Sequence, residues 1–335
     1  MRRRSRAGAG RRSAAVLCAA VLILSTAEGR SPSYVHESTV QLGTETAAAV
    51  AFDPGANRIW VGTRRGLLSI DLDRPRTATP FGRTPVAGAL AFAPELNRLF
   101  VQLDGDRLAY VDVRASSEPV SVGHVPRSAE MVYEPLRREL YVFTRTASVA
   151  VFDARSGERA ATIELPGGPA RTPVAIPGRV FFTVARRDGL FSLDSTTRRI
   201  DRFPVAHDGT PVAIAVDTDL GQLFLAYGRE VVAADARSGT LIGRAPTAPI
   251  RAMVYDPAAR LLVATSDGPH GPRLDLYRLE PGGLVHSDRV AWVGPGLHRL
   301  EATRNGFVQW GSAPWLSDEP ETYKTSLLLW KARSH

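Results

Sequence analysis

The side chains best suited to chemistry in this sequence are histidines. The chain has seven, and three of them, His124, His207 and His270, lie in loop-like stretches between apolar runs. An imidazole titrates near neutral pH and binds transition metals, so these residues are candidates for general acid or base catalysis and for metal coordination. They share no short ligand spacing, and the chain has neither a Gly-x-Ser-x-Gly nucleophile motif nor a phosphate-binding glycine loop. No motif therefore supports catalysis.

Five arginines occupy comparable stretches and suggest a second kind of site. A guanidinium group presents paired N–H donors that match the oxygens of a carboxylate, phosphate or sulfate. If the fold brings them together, they predict a binding site for an anionic ligand. The alternative interpretation, that they are solvated surface residues of an arginine-rich chain, remains open. The five are Arg64, Arg145, Arg171, Arg186 and Arg229.

A repeat in the sequence defines the elements that would position these side chains. Its first copy, residues 47–72, contains three short apolar runs separated by turn residues, which is typical of a three-strand meander. The third run ends in an aspartate, and this aspartate recurs every 41 residues, at Asp71, Asp112, Asp153, Asp194 and Asp235. A period of about forty residues built from short β runs indicates a β-propeller with one blade per repeat.

Seven blades can be counted along the chain. The sequence thus predicts an all-β, seven-bladed propeller with four-stranded blades, in a single domain over residues 33–335. The last blade lacks a fourth strand, while the strand-like run at 38–42 belongs to no blade. Propellers usually close by letting one end of the chain complete the blade that the other end begins. We therefore expect residues 39–42 to pair with residues 327–330.

The alternating direction of the strands sorts the turns into two faces. Turns after the first and third strands share one face, and this face receives the periodic aspartates, which we interpret as turn formers that accept backbone N–H bonds. Turns after the second strands and loops between blades share the other face, which we call the mouth face. The candidate histidines and arginines fall on the mouth face, where loops differ between blades and where ligands usually bind.

Several blades also share a sequence motif. Trp-Val-Gly-Thr at 60–63, Tyr-Val-Phe-Thr at 141–144 and Leu-Val-Ala-Thr at 262–265 each follow an Asp-Pro or Glu-Pro turn, and Asp-Ala-Arg-Ser-Gly occurs at 153–157 and 235–239. In these motifs the chain resembles the YVTN-repeat propellers of exported bacterial proteins. The resemblance implies the fold and leaves the function open, because similar propellers include binding and scaffold proteins, lactone hydrolases and lyases, and cofactor-bearing oxidoreductases. The tryptophan docking motif of quinoprotein propellers is missing, and the sequence requires no cofactor.

The first residues predict export. Six arginines precede an apolar run at 14–24, and Ser25-Thr26-Ala27 forms a small-residue cleavage site, as in a secretory signal. We expect residues 1–27 to be a signal peptide and the product to be periplasmic or secreted. No later segment approaches the roughly 18 consecutive apolar residues of a membrane span.

Removal of this segment changes what the composition implies. The six arginines leave with it, so the formal charge falls from +8 to +2, and the single cysteine, Cys18, is lost. The high isoelectric point is then no argument for nucleic-acid binding. The mature chain is also predicted to have no disulfide and no thiol nucleophile.

Two functional hypotheses follow. The leading one is a monomeric binding or scaffold module that holds an anionic small molecule or a protein partner at the mouth. The alternative is a hydrolase or lyase that acts on a lactone-like or anionic small molecule, with the three histidines as acid, base or metal ligands. The long connection at 313–324 lies on the same rim, either as a lid or partner-binding loop or as a loose insertion beside the closure.

Overall fold

The computed structural model describes most of the predicted propeller. The predicted signal peptide, His270 and the connection at 313–324 lie outside the described residues. No helix within the described part is long and apolar enough to cross a membrane. The described ranges are 34–42, 47–75, 77–115, 118–126, 128–268, 271–291, 299–304, 306–310 and 326–332.

The described residues form seven antiparallel sheets of four strands each, which are the predicted blades. Blades 1 to 3 consist of Ala49–Asp53 (β2), Arg58–Thr63 (β3), Gly66–Asp71 (β4) and Thr79–Gly82 (β5); Val86–Ala93 (β6), Arg98–Leu103 (β7), Arg107–Asp112 (β8) and Val120–His124 (β9); and Ser128–Glu134 (β10), Glu139–Thr144 (β11), Ser148–Asp153 (β12) and Arg159–Glu164 (β13). A single 3-10 turn, Pro94–Leu96, joins β6 to β7 in the described chain.

The remaining blades follow the same plan. Blades 4 to 6 consist of Ala170–Ile176 (β14), Arg179–Val184 (β15), Arg187–Asp194 (β16) and Ile200–Arg202 (β17); Ala213–Asp217 (β18), Gln222–Tyr227 (β19), Glu230–Asp235 (β20) and Leu241–Pro246 (β21); and Ile250–Asp256 (β22), Leu261–Gly268 (β23), Gly271–Glu280 (β24) and Gly283–Ala291 (β25). Blade 7 consists of Arg299–Thr303 (β26), Gly306–Trp310 (β27), Ser326–Ala332 (β28) and Tyr34–Gln41 (β1). The first strand of each blade contacts the first strand of the next, and β26 contacts β2, so these strands form a closed inner ring.

The N-terminal strand closes the ring, as predicted. β1 pairs antiparallel with β28, with Val40 opposite Leu327, and it occupies the outer edge of blade 7. The strand covers residues 34–41 and is therefore longer than the predicted 39–42. Because β1 is the fourth strand of blade 7, every blade has four strands. β1 also covers the edge of β28, which would otherwise be unpaired and prone to aggregation.

Apolar side chains are shared between neighbouring blades. The described residues form seven buried clusters, each drawn from two adjacent blades, such as Trp60 with Leu99 and Tyr141 with Phe182. The seventh cluster joins β1 and blade 7 to blade 1 through Val40. A second strand packs against neighbours on both of its faces, which explains why these strands read as nearly unbroken apolar runs.

The periodic aspartates have the predicted turn role. Each is the last residue of the third strand in blades 1 to 5. The Asp153 carboxylate accepts the N–H groups of Arg155 and Ser156 at 2.9 and 2.6 Å. Asp235 accepts those of Arg237 and Ser238 at 3.0 and 2.7 Å, and such bonds stabilise the turn.

Polar contacts also join adjacent blades. The first residue of a second strand reaches the turn that follows the third strand of the next blade. Arg98 donates to a carbonyl oxygen of blade 3 at 2.8 Å, and Arg179 donates to two carbonyl oxygens of blade 5 at 3.1 Å. Glu139 of blade 3 instead pairs with Arg198 of blade 4 at 3.0 Å. These contacts hold adjacent blades in fixed positions relative to each other, and with them the mouth-face turns that the blades carry.

Candidate functional site

All five predicted arginines lie on the mouth face and are exposed. Arg64, Arg145, Arg186 and Arg229 occupy the turns between the second and third strands of blades 1, 3, 4 and 5. Arg171 is the second residue of β14, an innermost strand, and is therefore nearer the axis. The structure thus distributes these residues around one face and does not gather them into one pocket.

Local turn chemistry presents these arginines to solvent. The Thr63 hydroxyl accepts the N–H groups of Arg65 and Gly66, both at 3.2 Å, and donates to the Gly66 carbonyl oxygen at 2.9 Å. In blade 4, Arg186 adopts a left-handed conformation with φ of 66°, which a tight turn between two strands commonly needs. In blade 1 the Thr63 side chain thus stabilises the turn, and the side chain of the next residue, Arg64, is left exposed.

The guanidinium groups of the five arginines make no hydrogen bond or ion pair with any residue that the structure describes. Exposed acids also lie on this face: Asp104, Asp106, Glu164, Asp188 and Asp208. The described mouth face therefore has basic turns on blades 1, 3, 4 and 5 and an acidic turn on blade 2.

The predicted histidines are not brought together within the described chain. His124 is the exposed last residue of β9, the outermost strand of blade 2, and its carbonyl oxygen accepts Nη2 of Arg159 at 2.6 Å. His207 lies in the loop between blades 4 and 5, so blades 3 and 4 separate the two residues. Among the residues described, no group of three or more histidine, cysteine, aspartate or glutamate side chains could hold a metal ion.

His207 is held by its neighbours. Its ring stacks on Tyr227 with a centroid distance of 3.5 Å, and its Nε2 lies 2.7 Å from Oε1 of Glu230. Burial, followed by the Glu230 charge, raises the pKa of Tyr227 to about 12. The cluster borders an open cavity of about 700 Å³, together with Arg244, whose Nη2 donates to a loop carbonyl oxygen at 2.9 Å.

This cavity can support only part of the predicted hydrolase or lyase chemistry. The His207–Glu230 pair could transfer a proton. The residues that line the cavity include no serine, threonine, cysteine or lysine, so a nucleophile there would be a water molecule or a carboxylate such as that of Asp208. His270 lies outside the described residues, so its predicted role stays a prediction.

Sequence reasoning missed a dense charged cluster on blade 6. Asp275 is buried there and contacts Arg273, Arg289, His286 and Ser266. The 41-residue spacing ends before blade 6, so the repeat offered no guide to it. The Arg-x-Asp alternation in β24, which puts both side chains on one face of the strand, was the available signal.

Comparison with known proteins places the chain by fold alone. No known protein-family profile matches it, and no curated protein sequence does. A chain in a crystal structure of the mitotic checkpoint complex is similar, with a TM-score of 0.69, 12% identity, and coverage of 94% of this chain and 98% of that chain. The WD40 repeats of RRP9 are also similar, with a TM-score of 0.70, 10% identity, and coverage of 91% of this chain and 99% of that chain.

Proposed function

We propose that this protein is a binding module that uses its mouth face to hold an anionic protein partner. The observation that carries the proposal is the set of exposed guanidinium groups on this face with no partner in the described chain, four of them at equivalent turns of blades 1, 3, 4 and 5. Unpaired, repeated positive charges on a rigid ring favour association with a complementary acidic surface.

The distribution of charge favours a protein over a small molecule. A small anion needs donors that converge within hydrogen-bond distance of one group, whereas these arginines lie on different blades. The cavity beside His207 and the cavity beside Trp330 are both lined by other residues than these five. An acidic protein segment that crosses several blades would contact them together. A similar propeller that was solved within the mitotic checkpoint complex agrees with this kind of use.

The proposal also includes the location of the protein. The predicted signal peptide and the YVTN-type motifs support an exported propeller that meets its partner in the periplasm or outside the cell, and we propose that it acts as a monomer. The function we propose requires no cofactor.

A charge-reversal experiment tests the proposed face. We expect the fourfold variant Arg64→Glu, Arg145→Glu, Arg186→Glu and Arg229→Glu to bind a fluorescent oligo-glutamate peptide at least about tenfold more weakly than the parent, because attraction becomes repulsion. Fluorescence anisotropy at low and physiological salt measures this loss, and binding by the parent should weaken as salt rises. Citrate serves as the small-anion probe and should bind both proteins equally weakly.

A matched control carries the same change of charge on the opposite face. Arg74, Arg114, Arg155 and Arg237 are exposed in turns after third strands, and the fourfold Glu variant of these should retain binding. Equal losses in the two variants would show attraction to net charge alone and refute the proposal. Tight citrate binding that the first variant loses would favour a small-molecule ligand instead.

A further inference from the structure

One face of blade 6 carries a buried carboxylate surrounded by donors. Asp275 in β24 is 1% exposed. Its Oδ2 accepts Nε of Arg273 at 3.0 Å and the Ser266 hydroxyl, and its Oδ1 accepts Nε of Arg289 at 2.9 Å. The Nε2 atom of His286 lies 3.2 Å from Oδ1. Asp275 thus organises two guanidinium groups and an imidazole from β24 and β25.

The two arginines use only their Nε atoms in these contacts. Their Nη atoms make no hydrogen bond with any residue that the structure describes, and those of Arg273 are not sealed from solvent. The arginine side chains are 17% and 52% exposed, and His286 is 34% exposed. A guanidinium anchored through Nε keeps its outer N–H edge free, and that edge matches two oxygens of an oxyanion.

Charge at this site favours an anion. Burial raises the pKa of Asp275, but the hydrogen bonds from Ser266, Arg289, Arg273 and His286 outweigh burial and lower the pKa below its ordinary value. The carboxylate therefore stays ionised and neutralises only one of the two arginines. Tyr277, on the same face, donates its hydroxyl hydrogen to Thr247 of the neighbouring loop.

Two further charged groups lie nearby on the same strands. Asp288 precedes Arg289 and accepts its backbone N–H at 2.7 Å. Arg278 follows Tyr277, so the alternation of the strand directs it to the other face of the blade. Neither group forms an ion pair with Arg273 or Arg289 in the described structure.

We propose that Arg273, Arg289 and His286 form a binding site for a tetrahedral oxyanion, phosphate or sulfate, with Asp275 as the positioning residue. None of the arginines of the proposed partner-binding face takes part. An experiment that refutes one of the two proposals therefore leaves the other untouched. The site lies near the end of β24 that adjoins the mouth face, in the outer half of blade 6.

Titration calorimetry of the purified protein with inorganic phosphate and with sulfate tests the site. We expect Arg289→Lys to weaken binding about tenfold or more although it keeps the charge, because an ammonium group lacks the forked donors. Arg278→Lys is the matched control and should bind as the parent does. A phosphomonoester such as O-phosphoserine distinguishes a free anion from a phosphate group carried on a larger molecule.

Asp275→Asn gives a test of opposite sign. Removing a negative charge strengthens anion binding at a merely basic patch, whereas here we expect weaker binding because the guanidinium groups lose their anchor. Thermal unfolding checks that this variant folds, and Arg289→Lys decides the question if it does not. Unchanged affinity in Arg289→Lys, tighter binding by folded Asp275→Asn, or no phosphate or sulfate binding by the parent would each overturn the proposal.

Discussion

Carboxylates of the same residue type behave in opposite ways in this protein because their surroundings differ. Asp153, Asp194 and Asp235 lie in surface turns, where bonds from backbone N–H groups lower their pKa values despite some desolvation. Asp256 is fully buried, and desolvation raises its pKa although Tyr34 and two backbone N–H groups counteract the rise. The turn aspartates therefore favour folding when ionised, whereas the ionised form of Asp256 opposes it.

The turn aspartates predict an acid dependence of stability. Because their pKa values in the folded state lie below the ordinary value of about 4, their contribution is present above that pH and is lost as the pH falls through the folded values. The threefold variant Asp153→Asn, Asp194→Asn and Asp235→Asn retains the accepting oxygens without the charge. We expect its urea midpoint to change less between neutral pH and about pH 3 than that of the parent.

Exposed aspartates outside such turns provide the comparison for this measurement. The threefold Asn variant of Asp104, Asp106 and Asp208, which are exposed and accept no backbone N–H bond in the described structure, should keep the acid sensitivity of the parent. If the two variants lose acid sensitivity equally, the turn bonds are not its cause.

At the scale of elements, closure depends on one strand from the far end of the chain. β1 completes blade 7, and the buried Tyr34 hydroxyl also donates to Oδ2 of Asp256 in blade 6 at 2.7 Å. Strand pairing and this side-chain bond join the N-terminal strand to two different blades. Loss of either contact would weaken the point at which the ring closes.

Tyr34→Phe tests the side-chain part of this closure. The substitution keeps the ring packing against Phe307, at a centroid distance of 5.0 Å, but leaves the buried carboxylate with one donor fewer. We expect a loss of about 1–3 kcal/mol in the free energy of unfolding near neutral pH, measured by urea denaturation. Hydrogen exchange in β1 should accelerate more than exchange in blade 3.

Tyr110→Phe is the matched control, because the Tyr110 ring packs against Phe100 at 6.0 Å and its hydroxyl has no hydrogen bond in the described structure. It should change stability by less than about 0.5 kcal/mol. Equal effects of the two substitutions would mean that the bond to Asp256 does not contribute to closure.

Much of this element plan could be predicted from sequence, and the reason is repetition. A spacing of 41 residues, read from Asp71 onward, gives the third strands of five blades without any tertiary information. The pairing of residues 39–42 with β28 was predicted by counting strands, because blade 7 lacked a fourth strand. The alternation of polar and apolar residues before residue 38 is too weak to show that β1 begins at Tyr34. The assignment of the five arginines to the mouth face was predicted from the alternating direction of the strands.

Site chemistry could not be predicted in the same way, because it depends on side-chain geometry that does not repeat. The bond between His207 and Glu230 joins a loop to a strand of the next blade, and no pattern in the chain links these residues. Around Asp275, partners from three strands meet only because β24 and β25 pair with the observed register. Polar clusters of this kind require coordinates.

At the scale of the whole molecule, stability is shared around a ring. Each described cluster joins two blades, and the last cluster joins blade 7 to blade 1. In open repeat arrays the terminal repeats have one neighbour and can fray. Here every blade has two neighbours, so we infer that the blades unfold together and present the mouth-face turns as a rigid set.

Two cavity-forming substitutions at distant interfaces test this cooperativity. Phe100 is fully buried between blades 2 and 3, and Phe224 is 1% exposed between blades 5 and 6. Each Phe→Ala change should cost about 3–5 kcal/mol and lower the same single transition, observed alike by tryptophan fluorescence and circular dichroism. Val120→Ala, at a side chain 48% exposed, should leave that transition within about 0.5 kcal/mol of the parent. Two separate transitions in either Phe variant, with one unchanged from the parent, would mean that the blades unfold independently and that the ring does not act as one unit.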